Sequence, residues 1–319
     1  MPAPIITGWG KCLPPAVLSN ADLEGLTDTS DEWIVTRTGI RERRISHAEV
    51  SDMAAVAGRE ALAAAGVAAD QVDLLIVATC TPDRLVPSAA ALAQEKIGAV
   101  GSGAMDLNAA CSGFLYGLAV ADQMVRTGAV GRVLLIGAEK LHFFLDFTDR
   151  ATSVLFGDGA GAVLIEASEE DGAGLLACER GADGTAADIL CIPRSGTEGV
   201  PGASRRTRVQ MEGPTVFRRA VEAMGDASLR VLDKAGLGLA DVDLLIPHQA
   251  NLRIVEATAR RLGLDSARVV VNLDAYGNTS AASIPIALVE ALEQGRVQPG
   301  ALLVFAAVGG GVTWAAAAY

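Results

Sequence analysis

The stretch DLNAACSGFLYGLAVADQMVRTG, residues 106–128, decides how the rest of the chain is read. An apolar strand end runs into Ala109-Ala110-Cys111-Ser112-Gly113. Phe114, Leu118, Ala121 and Val125 then recur at helical spacing until Gly128 stops the helix. Cys111 therefore starts a mostly buried helix, where free backbone N–H groups and the positive end of the dipole favour a thiolate. A helix terminus stabilises an anion by ~0.3–1 kcal/mol, up to ~2 in favourable sites. At neutral pH that takes a thiol from a few per cent ionised to at most about half, so a partner group has to supply the rest. The alternative is that Cys111 is a small core residue.

The C-terminal half carries a faint second copy of the first. Leu62-Ala63-Ala64-Ala65-Gly66 through Val72-Asp73-Leu74-Leu75-Ile76 aligns without gaps with Leu232-Asp233-Lys234-Ala235-Gly236 through Val242-Asp243-Leu244-Leu245-Ile246. Each copy reads as helix, turn and buried strand. Gly131-Arg132-Val133-Leu134-Leu135-Ile136 likewise matches Gly300-Ala301-Leu302-Leu303-Val304-Phe305. Cys111 is as far from Gly128 as Asn278 is from Gly295, which predicts that Asn278 starts the duplicate of the helix that Cys111 starts. His248 follows the second copy of the strand, in Pro247-His248-Gln249-Ala250-Asn251. Two fused halves are expected, 1–170 and 171–319, divided at the polar turn 168–172. Between them they aim Cys111, His248 and Asn278 at one place.

With 319 residues, half of them apolar, the chain can bury a large core. A net charge of −12, with arginines only in short groups, argues against nucleic acid as a partner. Five cysteines, odd in number and without a Cys-x-x-Cys pair, suit reduced thiols in a cytoplasmic protein, with neither a disulfide framework nor a metal site. The first fifteen residues lack the basic start and apolar core of a secretory signal. Residues 299–319 carry no charge and are long enough to cross a bilayer. Gly309-Gly310-Gly311 interrupts them, however, so two buried strands, 301–307 and 312–318, are expected and no membrane span.

Residues 28–44, DTSDEWIVTRTGIRERR, break the Ala- and Gly-rich texture. Asp28-Thr29-Ser30-Asp31 can cap a short helix bearing Trp33, Ile34 and Arg37, and an aromatic face beside guanidinium groups suits a flat base with phosphates. A solvated amphipathic helix is the alternative. Gly157-Asp158-Gly159-Ala160-Gly161 lacks the helix with Lys and Ser or Thr that a nucleotide loop needs, and is expected to form a tight turn into a core strand. Residues 193–208 have no periodicity and predict a mobile loop, in which Arg205, Arg206 and Arg208 are either solvated or phosphate-facing. Helices are expected at 215–234, 252–262 and 279–294.

These motifs together resemble the β-ketoacyl-acyl-carrier-protein synthase III family of the thiolase-like superfamily. DTSDEWIVTRTGIRERR, AACSGF, GDGAGAVL, HQAN, YGNTSAAS and GGGVTW occur in that order over essentially the whole chain. The resemblance implies an α/β fold of five layers, αβαβα, usually a homodimer. It also implies an acyl-CoA primer, malonyl-acyl-carrier protein as second substrate, and no cofactor beyond these thioesters. Cys111 would be the nucleophile, with His248 and Asn278 binding the malonyl carbonyl and the amides of Cys111 and Gly310 forming an oxyanion hole. Trp33 and Arg150 would sandwich the adenine, with Thr29, Arg37 and Asn251 along the rest of CoA. Arg218, Arg253, Arg260 and Arg261 would meet the carrier protein.

The implied chemistry is a decarboxylative condensation that starts fatty-acid chains. Cys111 takes the acyl group, malonyl thioester loses carbon dioxide, and the carbanion attacks the acyl-enzyme. Two departures from the family pattern bear on substrate. Val86 stands where many relatives have Phe, in a loop that closes the partner subunit's acyl pocket, so longer or branched primers fit; Pro214 replaces a frequent Asn near the CoA arm. Related acyltransferases often lose the Asn, so Asn278 favours condensation. A ketosynthase of a specialised pathway and, from another class, a cysteine hydrolase with the order Cys, His, Asn are the alternatives.

Overall fold

In the computed structural model, which describes residues 3–168, 173–198 and 207–319, the repeated Ala-rich segments fold alike. Helices Val50–Ala65 and Gly213–Ala235 each end on a left-handed glycine, Gly66 at φ 69° and Gly236 at φ 71°, a conformation that L side chains resist. The chain then enters a strand buried along its whole length, Leu74–Ala78 or Leu244–Pro247, whose branched apolar residues suit a position covered on both faces. Even the side-chain ties recur. Asp73 Oδ2 accepts from the Gly131 and Arg132 amides at 2.7 and 2.8 Å, and Asp243 Oδ2 accepts from the Leu302 amide at 2.8 Å.

Two mixed sheets result. The first runs Ala3–Cys12, Asp158–Ser168, Arg132–Lys140, Leu74–Ala78, Gly103–Leu107; the second runs Ala177–Ala182, Thr313–Ala318, Leu303–Gly309, Leu244–Pro247. In each, the first two pairings are antiparallel and the next is parallel. A lone parallel bridge between Leu245 and Val269 stands where the first sheet has its fifth strand.

Helix Val50–Ala65 covers the outer face of the first sheet, and helix Gly213–Ala235 that of the second. Helices Gly113–Arg126 and Ser283–Glu293 fill the space between, which gives the five layers expected. The central core joins Phe114, Leu118 and Val125 to Ile284 and Leu288, and to Ile76, Leu135, Ile246 and Phe305 from both sheets. Each such buried side chain contributes ~1.5–3 kcal/mol, so this middle layer fixes the two halves to one another.

The tight turn expected at 157–161 is not formed. Asp158–Ser168 is an extended strand, and its glycines serve close approach: a Cβ on Gly161 would lie 2.7 Å from the Ile286 nitrogen of the second inner helix. The uncharged C-terminal stretch folds as strand Leu303–Gly309, turn Gly310–Val312 and strand Thr313–Ala318. Among the described residues no helix is long and apolar enough to cross a membrane. Arg205 and Arg206, and the turn residues 169–172, lie outside the described residues.

The predicted pairing of Cys111 with Asn278 is three residues out. The halves keep an offset of 170 from Gly66 and Gly236 through to the inner helices, which start at Gly113 and Ser283. Asn108 therefore corresponds to Asn278. The Oδ1 of each accepts from the amide two residues on, Ala110 at 3.1 Å and Ser280 at 2.9 Å, and those residues share left-handed φ values of 48° and 49°. The second inner helix has 11 residues against 14 in the first, so counting back from its end misplaces its start.

Candidate active site

Cys111 lies in the short turn Ala110–Ser112 that opens helix Gly113–Arg126, directly after the left-handed Ala110. A non-glycine residue there costs roughly 1–2 kcal/mol, strain of the kind that concentrates at functional turns. The glycine turn of the other half presses against it, since a Cβ on Gly309 would sit 2.7 Å from the Cys111 nitrogen. His248 follows the buried strand Leu244–Pro247, and Asn278 precedes the turn Ser280–Ala282. All three side chains are buried and line one cavity of about 460 Å³ with Val308 and Gly309.

That cavity continues to Trp33, Arg37, Arg150, Phe217, Asn251 and Arg253. A second cavity of about 310 Å³ opens on another side of Cys111, walled by Leu141, Phe156, Leu190, Ile192 and Val209 and touching Cys80, Ser280 and Gly310. A thioester carbonyl at Cys111 thus has space for a long polar arm in one direction and an apolar chain in another.

Burial pushes the Cys111 thiol up to about 12; a hydrogen bond from Ser280 works against this rise and the charge of Glu139 adds to it. The helix terminus therefore does not by itself ionise the thiol, because it supplies less than desolvation of the thiolate costs. Burial also brings His248 down to about 3, so its imidazole is neutral. Its Nδ1 is 2.6 Å from Ser283 Oγ, and that oxygen accepts from the Gln249 amide at 3.4 Å. With the Ser283 hydroxyl donating to Nδ1, the neutral ring carries its proton on Nε2. The Asn278 Oδ1 is engaged by the Ser280 amide, which makes the NH₂ its free end. Two neutral donors beside a thiol suit a carbonyl oxygen that gains negative charge.

Toward the outer end of the cavity, the guanidinium groups of Arg37 and Arg150 lie 4.9 and 5.1 Å from the centroid of the Trp33 ring. Arg150 donates to the Asp28 carbonyl at 2.9 Å, with the Asp28 carboxylate 3.6 Å away. Its contact with Trp33 leaves no space for a flat base between them, so Arg150 has to swing outward to admit one. Asn251 caps helix Leu252–Leu262 and donates to the Arg37 carbonyl at 3.1 Å. Thr29 does not line the cavity; its buried Oγ1 has no hydrogen-bond partner.

Among the proposed docking arginines only Arg253 reaches the cavity, where it lies 5.6 Å over Phe217. Arg260 is 3.6 Å from Glu256, Arg261 pairs with Asp226, and Arg218 is exposed. Arg219, which the sequence does not single out, lines the cavity instead. Val86 is 84% exposed and lines neither cavity around Cys111. Sequence reasoning also missed Ser280, Ser283 and Glu139; a Glu at the end of the apolar run Val133-Leu134-Leu135-Ile136-Gly137 was the available signal. The five cysteines are free, and no His, Cys, Asp and Glu cluster among the described residues fits a metal.

Residues 105–184 match the family described as 3-oxoacyl-[acyl-carrier-protein] synthase III, residues 232–319 match its C-terminal part, and residues 34–144 match the thiolase N-terminal domain. The β-ketoacyl-[acyl-carrier-protein] synthase III of Roseiflexus castenholzii is 52% identical over 319 residues, covering 98% of this chain and 96% of that protein. The chain belongs to the β-ketoacyl-acyl-carrier-protein synthase III family. A second member, synthase III 2 of Vibrio vulnificus, is 49% identical over 98% of this chain and 86% of its own. The solved synthase III of Aquifex aeolicus superposes with a TM-score of 0.94 at 46% identity, over 99% of both chains. The priming β-ketosynthase of the R1128 polyketide pathway gives 0.93 at 36%, over 99% of this chain and 95% of its own. As a synthase III, the chain is an acyltransferase, and the hydrolase alternative falls away.

Proposed function

We propose that this synthase III condenses an acyl-CoA primer with malonyl-acyl-carrier protein to start fatty-acid chains, with Cys111 as nucleophile and His248 and Asn278 as donors to the malonyl carbonyl. The convergence of a thiol, a neutral imidazole N–H and an amide NH₂ on one cavity carries this reading. Cys111 attacks the primer carbonyl, the amides of Cys111 and Gly310 hold the oxyanion, and CoA leaves. Malonyl thioester then loses carbon dioxide, and its carbonyl oxygen takes charge between His248 and Asn278. No base needs to remove a carbon-bound proton. The new carbanion attacks the acyl group and frees Cys111.

In this reading the adenine stacks at Trp33 beside Arg150, with Arg37, Asn251 and Thr29 near the remainder of CoA. The aromatic ring with two guanidinium groups supports that placement. Arg253 leads a docking face with Arg218, Arg260 and Arg261 for the acidic carrier protein. The protein works as a cytoplasmic homodimer of two-half subunits, 1–170 and 171–319, with Val86 of each subunit closing the other's acyl pocket. A specialised priming ketosynthase is the second reading, favoured by the small side chain at Val86 and the likeness to the polyketide priming enzyme.

Acyl-enzyme mass spectrometry with a panel of acyl-CoAs tests the assignment. Cys111 alone among the five cysteines is expected to be acylated, and acylation persisting in Cys111→Ala would falsify its role.

A further inference from the structure

The oxyanion hole of the preceding reading needs two amides, of Cys111 and Gly310, aimed at one oxygen. They come from turns in different halves of the chain: Ala110–Ser112 opens the first inner helix, and Gly310–Val312 joins the last two strands. Among the described residues no backbone hydrogen bond joins the two turns. They do touch. A Cβ on Gly309 would lie 2.7 Å from the Cys111 nitrogen, 2.9 Å from Thr313 Oγ1 and 3.0 Å from Ala110 Cβ. Such contact sets how near two surfaces come but leaves them free to slide, whereas a hydrogen bond is directional.

The hydrogen bonds that cross between the turns come from hydroxyls. Thr313 Oγ1 lies 2.9 Å from the Ala109 carbonyl oxygen and 2.8 Å from Ser112 Oγ, and Ser112 Oγ is 2.8 Å from the same carbonyl. Each hydroxyl has one proton. These short contacts are served when one proton goes to the Ala109 carbonyl and the other to the companion hydroxyl, and both such arrangements bind Thr313 to the first turn. The Gly310 carbonyl, 3.4 Å from Thr313 Oγ1, is a weaker acceptor at that distance. Thr313 pairs with Gly309 across the base of the glycine turn, so its side chain stands on the loop that carries the Gly310 amide. Ala109 in turn precedes the left-handed Ala110, the residue before Cys111.

We propose that Thr313 is a positioning residue: its hydroxyl, together with that of Ser112, holds the glycine turn in register with the nucleophile turn and so brings the Gly310 amide onto the oxygen that the Cys111 amide serves. This rests on the preceding reading, in which Cys111 is acylated and those two amides form the hole. The hydroxyls stay neutral and no group passes through them. A misplacement of about 1 Å in such a site can cost about 10²-fold in rate.

Three reactions of the full-length enzyme test the register: acylation by acetyl-CoA, acylation by the dithioester analogue in which sulfur replaces the carbonyl oxygen, and alkylation of Cys111 by iodoacetamide. Thr313→Val keeps the shape of the side chain and removes its hydroxyl. Its kcat for acylation by acetyl-CoA is expected to fall by about 10–100-fold, up to the loss of a whole oxyanion donor, with KM within about twofold. Alkylation is a displacement that builds no oxyanion, and should stay within about twofold. Wild type should prefer the oxygen thioester to the dithioester, because sulfur is the poorer acceptor, and Thr313→Val should lose most of that preference. Ser112→Ala leaves Thr313 its bond to Ala109 and should lose less than Thr313→Val.

Wild-type acylation in Thr313→Val overturns the proposal. So does an equal loss in acylation and alkylation, which is what a general disturbance of the nucleophile turn would give. Thr313→Ser and Thr313→Ala, which differ by one hydroxyl, make the same comparison if Thr313→Val folds poorly; faster acylation in the serine variant is expected, and equal rates overturn the proposal. A wild-type enzyme with no preference for oxygen overturns instead the oxyanion hole on which this rests, and acylation that survives Cys111→Ala overturns the nucleophile.

Discussion

Ser283 Oγ lies 2.6 Å from Nδ1 of His248, with both side chains buried and the Gln249 amide donating to the same oxygen. This contact, made across the start of the second inner helix, leaves the ring proton on Nε2 when the Ser283 hydroxyl is the donor. Ser283→Ala should slow malonyl decarboxylation by about tenfold while acyl transfer to Cys111 stays within about twofold, and Ser283→Thr should restore it. His248→Ala and Asn278→Ala should give the same split with a larger loss. Measuring the two half-reactions separately decides the point, and equal losses would contradict the division of labour.

His248 also ties stability to pH. Its folded-state value of about 3 lies below the ~6.5 of an unfolded histidine, so between those values the unfolded chain binds the extra proton. The stability is full above ~6.5 and drains as pH falls through that window toward 3. At pH 5 this group alone should cost about 2 kcal/mol relative to pH 7. Urea unfolding at both pH values should show a drop in midpoint that is smaller in His248→Gln.

Two guanidinium groups, of Arg37 and Arg150, lie over the Trp33 indole, where the proposed reading puts the nucleotide. Trp33→Ala and Arg150→Ala should raise KM for acyl-CoA by about 5–30-fold, in line with ~1–2 kcal/mol for a stacked cation and ring. Acyl-pantetheine thioesters, which lack the nucleotide, should be used equally well by the variants and the wild type. A matching rise in KM for both substrates would remove the stacking role.

Val86 projects into solvent from the single chain, 84% exposed, so any gating it performs requires a second copy. Val86→Phe should spare acetyl-CoA and cut the rate with six-carbon primers by about ten- to a hundredfold, since each excluded CH₂ is worth ~0.8 kcal/mol and overpacking adds ~1–3. Initial rates with acetyl-, isobutyryl- and hexanoyl-CoA would show it. An unchanged order of preference would refute the gate.

Much of the fold was legible because its signals are local. Gly66 and Gly236 end helices, the runs at Leu74 and Leu244 make strands buried on both faces, and the glycines at 309–311 break an otherwise membrane-like segment. Cys111, His248 and Asn278 could be picked out together because each stands at a strand end or helix start that the repeated pattern defines. The repeat was less secure in detail: a helix shortened by three residues put Asn278 opposite Asn108, and counting from the wrong end concealed it. Glycines in the Asp158–Ser168 strand resembled turn residues because a sequence does not record which backbone will come to lie against them.

Hydrophobic period, glycine punctuation and motif order are properties of neighbouring residues, and they were enough to give the two-fold α/β plan and to single out Cys111, His248 and Asn278, which line one cavity. Their protonation and partners depend on the folded chain. Burial makes Cys111 a poor acid and His248 a neutral donor, and Ser280, Ser283 and Glu139 reach them from elsewhere in the chain. Desolvation and hydrogen bonding depend on what packs around a group in space, and Glu139 and Ser280, which meet here, are 141 residues apart along the chain.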